Sequence, residues 1–225
     1  MTTDRASLQR ALGHRFTDAG LLELALTHRS VGGNNNERLE FLGDALINVC
    51  VAETLFRRHA ELEEGDLSRL RASLVNQETL AEVARELDLG PHLVLGPGEL
   101  KSGGFRRASI LADALEALVG AVFLDAGFDA ARDVILGLLA SRLATPPPAE
   151  SLKDAKTRLQ EALQGRELPL PVYAVESVRG EPHKQTFRVS CRIEPLGLHT
   201  EGEGGSRRAA EQEAARNALE RMSDG

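Results

Sequence analysis

The chain contains few of the residues that mark several common kinds of protein. Its two cysteines, Cys50 and Cys191, lie far apart in 225 residues, so neither a disulfide framework nor a cysteine-based zinc site is expected. The longest apolar run, at residues 117–124, is far too short to span a bilayer, and the first residues lack the apolar core of a signal peptide. We therefore expect a cytoplasmic protein without a membrane partner.

An excess of positive charge is also missing. The formal net charge is −7, with 15 basic and 21 acidic side chains in residues 1–148 and 12 and 13 in the remainder. Neither part is as basic as a typical nucleic-acid binder. Any nucleic acid would therefore have to be bound by locally basic faces rather than by the overall field of the protein.

Two kinds of catalytic machinery have no counterpart in the sequence. No arrangement of serine or cysteine suggests a covalent nucleophile, and no glycine-rich phosphate-binding loop suggests a nucleotide cofactor. The hydrophobic fraction of 42% and the charged fraction of 27% are ordinary for a folded protein. The length allows one large domain or two smaller ones.

Acidic residues are concentrated on an apolar helix near the N-terminus. The segment NERLEFLGDAL at residues 36–46 has helical spacing of its apolar residues, which continues through Ile47, Val49, Val51 and Leu55 and predicts a long, largely buried helix. Glu37, Glu40 and Asp44 fall within a sector about 60° wide on such a helix. Because like charges repel and burial opposes ionisation, these carboxylates must either protonate or find cations.

A second apolar helix carries the same feature. The segment SILADALEALVGAVFL at residues 109–124 is interrupted by just two acids, Asp113 and Glu116, whose i, i+3 spacing directs both side chains to one point. If the two helices pack together, up to five carboxylates converge, and such oxygen-rich clusters bind Mg²⁺ or Mn²⁺. The alternative is structural, with Glu37 at a helix start and Glu40 and Asp44 in buried ion pairs. Two separate apolar helices with converging acids would be an unusual use of ion pairs.

The first two thirds of the chain predict an all-α fold. Asp18, Asn36 and Asp66 are predicted N-caps, and His28 is expected to cap or hydrogen-bond at a helix end. Residues 90–108 are rich in glycine and proline and read as a flexible loop, which carries the basic residues Lys101, Arg106 and Arg107. This loop is either an ordinary solvated loop or a contact to a phosphate backbone. Helices are predicted at residues 7–12, 18–27, 37–58, 67–87, 109–126 and 129–144.

The pattern changes after a proline-rich stretch. Residues 145–151, TPPPAES, predict a short, stiff linker between domains. Beyond it we predict a helix at 154–163, strands at 172–178, 186–193 and 198–201, and a closing helix to residue 222. Along the second strand Phe187, Val189, Cys191 and Ile193 alternate with polar residues, as in a half-buried strand. The predicted order is α-β-β-β-α, in a small α+β domain.

These segments resemble bacterial ribonuclease III over nearly the whole chain. The resemblance rests on the 36–46 block together with LTHRS (26–30), GDLS (65–68), GPGELKSGG (96–104) and ILADALEA (110–117). The C-terminal order, with PLPVY (169–173) and SRRAAEQEAA (206–215), resembles the double-stranded RNA-binding domain. The resemblance implies an endonuclease domain at 1–144, a linker at 145–151 and an RNA-binding domain at 152–225.

For the acids, the resemblance implies a site that hydrolyses phosphodiesters with two Mg²⁺ ions, for which Mn²⁺ can substitute. Glu40 and Asp113 would fix the ions, and Asp44 and Glu116 would bind metal or orient the attacking water. Glu37 is a further candidate. Glu64 could approach the site or remain an exposed acid in the first turn of its helix. The products implied are 5′-phosphate and 3′-hydroxyl ends, in the processing of ribosomal RNA precursors and other structured transcripts.

The resemblance also implies two partners, duplex RNA and a second copy of the chain. A homodimer is implied, with Phe41 a candidate for insertion into the partner subunit. Many RNA-binding domains of this type have lysine where Glu211 stands, so one backbone contact is expected to be missing and affinity to be modest and salt-dependent. Contacts to duplex RNA are expected from Thr157, Gln160, Glu161, His183, Ser206, Arg207 and Arg208.

Two other functions stay open at this point. One is a non-catalytic RNA-binding or ribosome-associated protein, and the other is a metal-dependent hydrolase of small phosphorylated substrates. A non-catalytic relative would have no reason to keep Glu40, Asp44, Asp113 and Glu116 together. The second alternative gives no use for an RNA-binding domain.

Overall fold

The computed structural model describes residues 5–181 and 183–223. The chain divides into two compact units, residues 1–152 and 153–225. Within the described residues, no helix combines the length and the apolar character needed to cross a bilayer.

The first unit is helical, as predicted. Its described residues contain no β-strand beyond an isolated bridge between Thr27 and Val94. Short 3₁₀ turns at Arg29–Val31, Gly90–His92 and Gly104–Arg106 connect some of the helices. The helices are α1 (Arg5–Leu12), α2 (Ala19–Ala25), α3 (Glu37–Arg58), α4 (Glu64–Val75), α5 (Gln77–Glu86), α6 (Pro97–Lys101), α7 (Ala108–Leu138) and α8 (Ala140–Ala144).

The core of this unit forms around α7, which is buried on nearly all sides between residues 110 and 122. Helix α3 packs directly against it at two glycines. A Cβ atom on Gly43 would lie 1.8 Å from the carbonyl oxygen of Glu116, and one on Gly120 would lie 2.3 Å from that of Leu39. The two backbones are therefore in contact where the acidic residues lie, and a larger side chain at either glycine would force the helices apart.

Helix α3 starts at Glu37, as predicted, but the side chain of Asn36 does not cap it. Asn36 has helical backbone angles, and its buried side chain donates to the carbonyl oxygen of Ala25, 3.3 Å away. The side chain of Asn35 accepts the N–H of Glu37 instead, at 3.0 Å. Asn36 therefore occupies the predicted N-cap position, but its amide is used in a tertiary contact with the end of α2, which the sequence pattern does not show.

The helix predicted at 67–87 is in fact two helices. Asn76 interrupts it with extended backbone angles, and its side chain accepts the N–H of Thr79 at 3.0 Å. Asp66 was also wrongly predicted as an N-cap, since α4 begins at Glu64 and Asp66 lies in its first turn, where it accepts a hydrogen bond from Arg69 at 2.7 Å. The apolar periodicity runs across the break, which hides it in the sequence.

The end of α7 is interrupted at Gly127, which has a φ of +84°, close to where the helix was predicted to end. The chain then continues helically to Leu138, and the short α8 follows. Just before the break, Asp125 accepts the backbone N–H groups of Thr17 and Asp18 and lies 2.9 Å from the ring of His14. This carboxylate ties the loop between α1 and α2 to the central helix.

The proline-rich stretch is only partly extended. Residues Ala149–Leu152 form a 3₁₀ turn, and Ala149 and Leu152 pack against the core of the first unit. The last residues of the predicted linker therefore belong to the first unit, and the division between the units follows Leu152.

The second unit has the predicted α-β-β-β-α order. Its antiparallel sheet has the strand order β1-β2-β3, with a bulge in β1 between Val175 and Ser177. Along β2, Val189, Cys191 and Ile193 are buried and Phe187 is half-buried, as predicted, but Ser190 on the opposite face is buried as well. Strand β3 is longer than predicted. The elements are α9 (Ala155–Gln164), β1 (Val172–Arg179), β2 (Thr186–Ile193), β3 (Leu198–Gly204) and α10 (Arg207–Ser223).

Candidate metal centre

Three carboxyl groups from the two central helices meet at one point. Glu40 on α3 and Asp113 and Glu116 on α7 each present an oxygen, and these oxygens all lie within 4.8 Å of one another. The i, i+3 spacing brings the two α7 acids together, and the contact at Gly43 brings Glu40 to them. All three side chains are partly buried.

The electrostatics of this group oppose its own ionisation. Burial, and then the charges of Asp44, Asp113 and Glu40, raise the pKa of Glu116 to about 8. Burial and the neighbouring acids also raise the pKa of Glu40. Burial raises the pKa of Asp113 too, against the opposing effect of His28 and Arg29. Without a cation, Glu116 therefore holds a proton at neutral pH.

The ligand atoms fit a hard divalent cation. The group consists of carboxylate oxygens, which are the ligands that Mg²⁺ and Mn²⁺ prefer, with no thiolate or imidazole among them. A divalent ion would replace the repulsion between the acids by attraction and would displace the proton on Glu116. The residues therefore fit the magnesium site expected from the sequence.

Asp44 does not belong to this close group. Its side chain is exposed and accepts a hydrogen bond from the amide of Asn48 at 2.8 Å. It is still near enough to raise the pKa of Glu116. Asp44 therefore lies at the open edge of the cluster, where a group orienting water or substrate would be placed.

The two further acids lie apart from the three converging ones. The carboxylate of Glu37 is exposed, 3.4 Å from the guanidinium of Arg29, and contributes to the raised pKa of Glu40. Glu64 is exposed in the first turn of α4 and accepts a hydrogen bond from Ser68 at 2.7 Å. Of the two alternatives that the sequence allowed for Glu64, this position matches the exposed acid in the first turn of a helix.

A cation that sequence reasoning missed lies next to the cluster. His28 caps the 3₁₀ turn Arg29–Val31 by accepting the N–H of Ser30, as the capping interpretation of this histidine predicted. The N–H of Gly96 donates to the hydroxyl of Ser30 at 2.8 Å and fixes the turn. The turn presents Arg29, whose charge lowers the pKa of both Glu40 and Asp113.

The basic segment before α7 is not a flexible loop. It folds into α6 and two 3₁₀ turns, and the two turns pack so closely that a Cβ atom on Gly90 would lie 2.5 Å from the carbonyl oxygen of Phe105. Arg107 is paired with Glu99 at 2.9 Å, and Arg106 lies over the ring of Phe105. Lys101 is exposed. The segment is therefore ordered, with Arg107 already bound to a carboxylate.

In the second unit, the predicted RNA contacts lie at the starts of two helices and in a hairpin loop. Thr157, Gln160 and Glu161 lie on α9, with Gln160 and Glu161 exposed. Ser206 caps α10 by accepting the N–H of Ala209, and this helix starts with the exposed Arg207 and Arg208. A cleft of about 530 Å³ lies between the two helix starts and is lined by Asp154, Lys156, Thr157, Gln160, Tyr173 and Arg208.

The hairpin loop carries His183, which is exposed and lies 3.5 Å from the carboxylate of Glu181. Pro182, between them, lies outside the described residues. The loop thus presents one imidazole to solvent, as the sequence led us to expect.

An exposed apolar stripe runs along α3 beside the acids. Phe41 is 80% exposed, Val49 51% and Phe56 71%, and together with Ala45 and Ala52 they occupy a sector of about 80° on the helix. Val49 and Phe56 line a groove of about 390 Å³ with residues of α4, including Leu67. The apolar periodicity of α3 predicts that Val49 is buried, which is wrong. Phe41 alone had been singled out, since helical spacing cannot tell a core face from an uncovered one.

Two family models match the chain. The model described as Ribonuclease-III-like matches residues 18–143, and the double-stranded RNA binding motif matches residues 155–222. The chain is 58% identical over 219 residues to ribonuclease 3 of Hahella chejuensis, covering 97% of each chain. It is 53% identical over 225 residues to ribonuclease 3 of Vibrio cholerae, covering all of each.

A solved structure shares the fold of the first unit. The nuclease domain of ribonuclease III from Campylobacter jejuni is 45% identical, with a TM-score of 0.60, and the match covers 62% of this chain and 98% of that one.

Proposed function

Since the chain belongs to the ribonuclease III family, we propose that it is an endoribonuclease that cuts double-stranded RNA with the help of Mg²⁺. The observation that carries this proposal is the convergence of Glu40, Asp113 and Glu116 at the contact between α3 and α7. A purely structural or RNA-binding relative would gain nothing from three partly buried acids that repel each other.

In this proposal Glu40, Asp113 and Glu116 hold Mg²⁺, for which Mn²⁺ can substitute. When bound, a pair of such ions supplies the positive charge that activates water and stabilises the leaving oxygen in an in-line displacement. Binding requires Glu116 to lose its proton, because a carboxylic acid is a poor ligand. The close contact between the helices keeps the three carboxylates in place before the ion arrives.

The other residues of the site position the reactants. Asp44, held by the amide of Asn48, orients the attacking water and takes up its proton. The water oxygen forms a bond to phosphorus while the bond from phosphorus to the 3′ oxygen breaks. The 3′ oxygen takes a proton and leaves as a hydroxyl, and the phosphate stays on the 5′ end. Glu37 and the adjacent Arg29 border the site toward the substrate.

The second unit would supply affinity for the duplex. We propose that Thr157, Gln160, Glu161 and His183 contact 2′-hydroxyl groups in the minor groove and that Ser206, Arg207 and Arg208 contact phosphates at the start of α10. In the first unit, the exposed Lys101 and Arg106 are candidates for phosphate contacts. Arg107 is a candidate that would first have to leave Glu99. Natural substrates would be ribosomal RNA precursors and other structured transcripts.

We further propose that the chain acts as a homodimer. The apolar stripe on α3, with Phe41, Val49 and Phe56, is too exposed for a monomer in water and lies beside the acids, so a second copy placed there would bring two catalytic sites together. The structure of the related Campylobacter jejuni nuclease domain is described in terms of a region involved in dimer formation.

Replacing Glu116 by Gln tests the catalytic part of the proposal. The amide keeps the shape of the side chain but removes its charge, so we expect cleavage of a long RNA duplex in Mg²⁺ to fall by at least about 10³-fold. Binding of the duplex in EDTA should be unchanged. The matched control is Glu78→Gln, at an exposed acid of α5 that pairs with Arg85, and it should cleave normally.

Undiminished cleavage by Glu116→Gln would refute the assignment of the site. A wild-type chain that binds the duplex and leaves it uncut in both Mg²⁺ and Mn²⁺ would indicate the non-catalytic RNA-binding function instead.

A further inference from the structure

Glu211 is a buried carboxylate at the start of α10, where the neighbouring arginines are exposed. It lies one turn into α10, and the residue is 8% exposed, whereas the side chain of Arg207 is 65% exposed and that of Arg208 84% exposed. From the sequence, this acid was expected to cost the domain one contact to the RNA backbone. Its surroundings indicate a different role.

The two oxygens of Glu211 each hold a different cation. Oε2 accepts a hydrogen bond from Nζ of Lys156 on α9 at 2.5 Å, and Oε1 accepts one from Nε of Arg207 at 2.8 Å. The ammonium group of Lys156 also lies over the ring of Tyr173, 4.6 Å from its centre. Both cations are therefore fixed by one carboxylate in the wall of the cleft between the helix starts.

A further hydrogen bond and an ion pair join the same two helix starts. The side chain of Gln212 accepts the backbone N–H of Lys156 at 3.1 Å. The guanidinium of Arg208 lies 3.9 Å from Asp154, which caps α9. Glu211 is thus the centre of a network that sets the distance between the two segments proposed to contact RNA.

The charge on Glu211 is permanent at physiological pH. Burial by itself would raise its pKa, but the hydrogen bonds from Lys156 and Arg207 outweigh burial and hold the pKa below its ordinary value. The carboxylate therefore stays ionised, and both cations keep their partner before any RNA arrives.

The hydrogen bond to Nε decides which atoms of Arg207 remain available. With Nε bound to Glu211, the plane of the guanidinium is fixed and its two outer nitrogens are left to form paired hydrogen bonds with a phosphate. Lys156 gives one of its three donors to Glu211, and its side chain is 35% exposed. Both groups are oriented in advance, which lowers the entropy lost on binding.

We propose that Glu211 is a positioning residue for duplex RNA, which holds Lys156 and Arg207 as a pair of phosphate contacts at the starts of α9 and α10, and that Lys156 is itself such a contact. This inference rests on the proposed function of the second unit. It predicts that removing the negative charge of Glu211 weakens the binding of a polyanion, whereas simple electrostatics predicts that binding becomes stronger.

The experiment measures binding of a fluorescently labelled RNA duplex of about 20 base pairs to the full chain in EDTA, where cleavage is prevented. Glu211→Gln leaves one acceptor oxygen in place of two, so one cation is released. We expect binding to weaken about 5- to 20-fold, since long cationic side chains must then be ordered on binding. The matched control is Glu213→Gln. It removes the same charge two residues further along α10, from an acid that pairs with Arg216. It should bind as tightly as wild type, or more tightly.

A double-mutant cycle separates positioning from a loss of fold. Arg207→Lys keeps the charge but lacks the fixed planar group, so it should weaken binding in the wild-type chain and have little further effect in Glu211→Gln.

The chain has one tyrosine and no tryptophan, so Tyr173 fluorescence reports the folding of the second unit alone. If Glu211→Gln unfolds this unit, Lys156→Gln tests the same contact from the other side and should weaken binding to a similar extent.

Three results would decide against the inference. Folded Glu211→Gln that binds as tightly as wild type would overturn it, and so would additive effects in the cycle, or Lys156→Gln with unchanged binding. A wild-type chain that failed to bind the duplex would instead overturn the proposed function of the unit, and with it the reason for a positioning residue.

Discussion

The acid cluster should make the protein less stable as the pH rises, and Glu116→Gln should remove this effect. In the folded chain the pKa of Glu116 lies at about 8, against an ordinary value of 4.5. Below pH 4.5 the carboxyl is protonated in both the folded and the unfolded state and has no effect on stability. Between 4.5 and about 8 the unfolded chain ionises first, so it binds fewer protons and stability falls with rising pH. Above about 8 the loss is complete and constant.

The size of the effect follows from the difference between the two pKa values. At about 1.4 kcal/mol per pKa unit, that difference corresponds to an upper bound of roughly 5 kcal/mol. Water reaches the open side of the partly buried carboxyl, so we expect about half of this bound, roughly 2–3 kcal/mol. Such a loss is a large part of the total stability of a domain of this size.

The assay is urea unfolding in EDTA at pH 5 and at pH 8.5, followed by circular dichroism of the helices. Glu116→Gln should be more stable than wild type by roughly 2–3 kcal/mol at pH 8.5 and by less than about 1 kcal/mol at pH 5. Adding Mg²⁺ at pH 8.5 should stabilise the wild type more than the variant, because the ion binds the folded carboxylates. Tyr173 fluorescence serves as an internal control, since it reports the second unit. Equal stability of the two proteins at both pH values would refute the reasoning.

Two further predictions concern α3. Gly43→Ala would place a methyl group 1.8 Å from the backbone oxygen of Glu116, so it should destabilise the first unit by at least about 3 kcal/mol and lower cleavage, as measured by urea unfolding and duplex cleavage. Gly137→Ala, at an exposed helical glycine with nothing within 4 Å, is the control and should stabilise by about 0.5–1 kcal/mol; equal effects would contradict the helix contact. Val49→Asp, in the apolar stripe of α3, should convert the proposed dimer to monomers in sedimentation velocity, because it places a charge in the interface. Leu196→Asp, at an exposed leucine of the second unit, should leave the assembly unchanged, and a dimer that survives Val49→Asp would exclude this stripe as the interface.

Much of the architecture follows from local patterns in the sequence. Apolar spacing identified the two acid-bearing helices, glycine placed the interruption of α7 close to residue 127, and alternation defined β2. These features depend on neighbours within a few positions along the chain, so the sequence is sufficient for them. Local patterns do not predict the break at Asn76, because the apolar spacing continues across it.

The residues that can carry the chemistry are evident from local spacing alone. The i, i+3 spacing of Asp113 and Glu116 is a property of one helix, and so is the sector shared by Glu37, Glu40 and Asp44. Which of these acids meet depends on how the two helices pack. The backbone contact at Gly43 and Gly120 selects Glu40 to join the α7 pair and leaves Asp44 at the open edge.

The charge of the site and the role of Glu211 also depend on packing between distant parts of the chain. Burial and converging acids raise the pKa of Glu116. Glu211 would be only a missing contact to RNA if its sequence neighbours were considered alone, but a lysine 55 positions away makes it a shared partner of two cations. Both effects arise from atoms that are distant along the chain and adjacent in space. Electrostatic energies depend on that spatial distance and on the exclusion of water, neither of which a linear pattern contains.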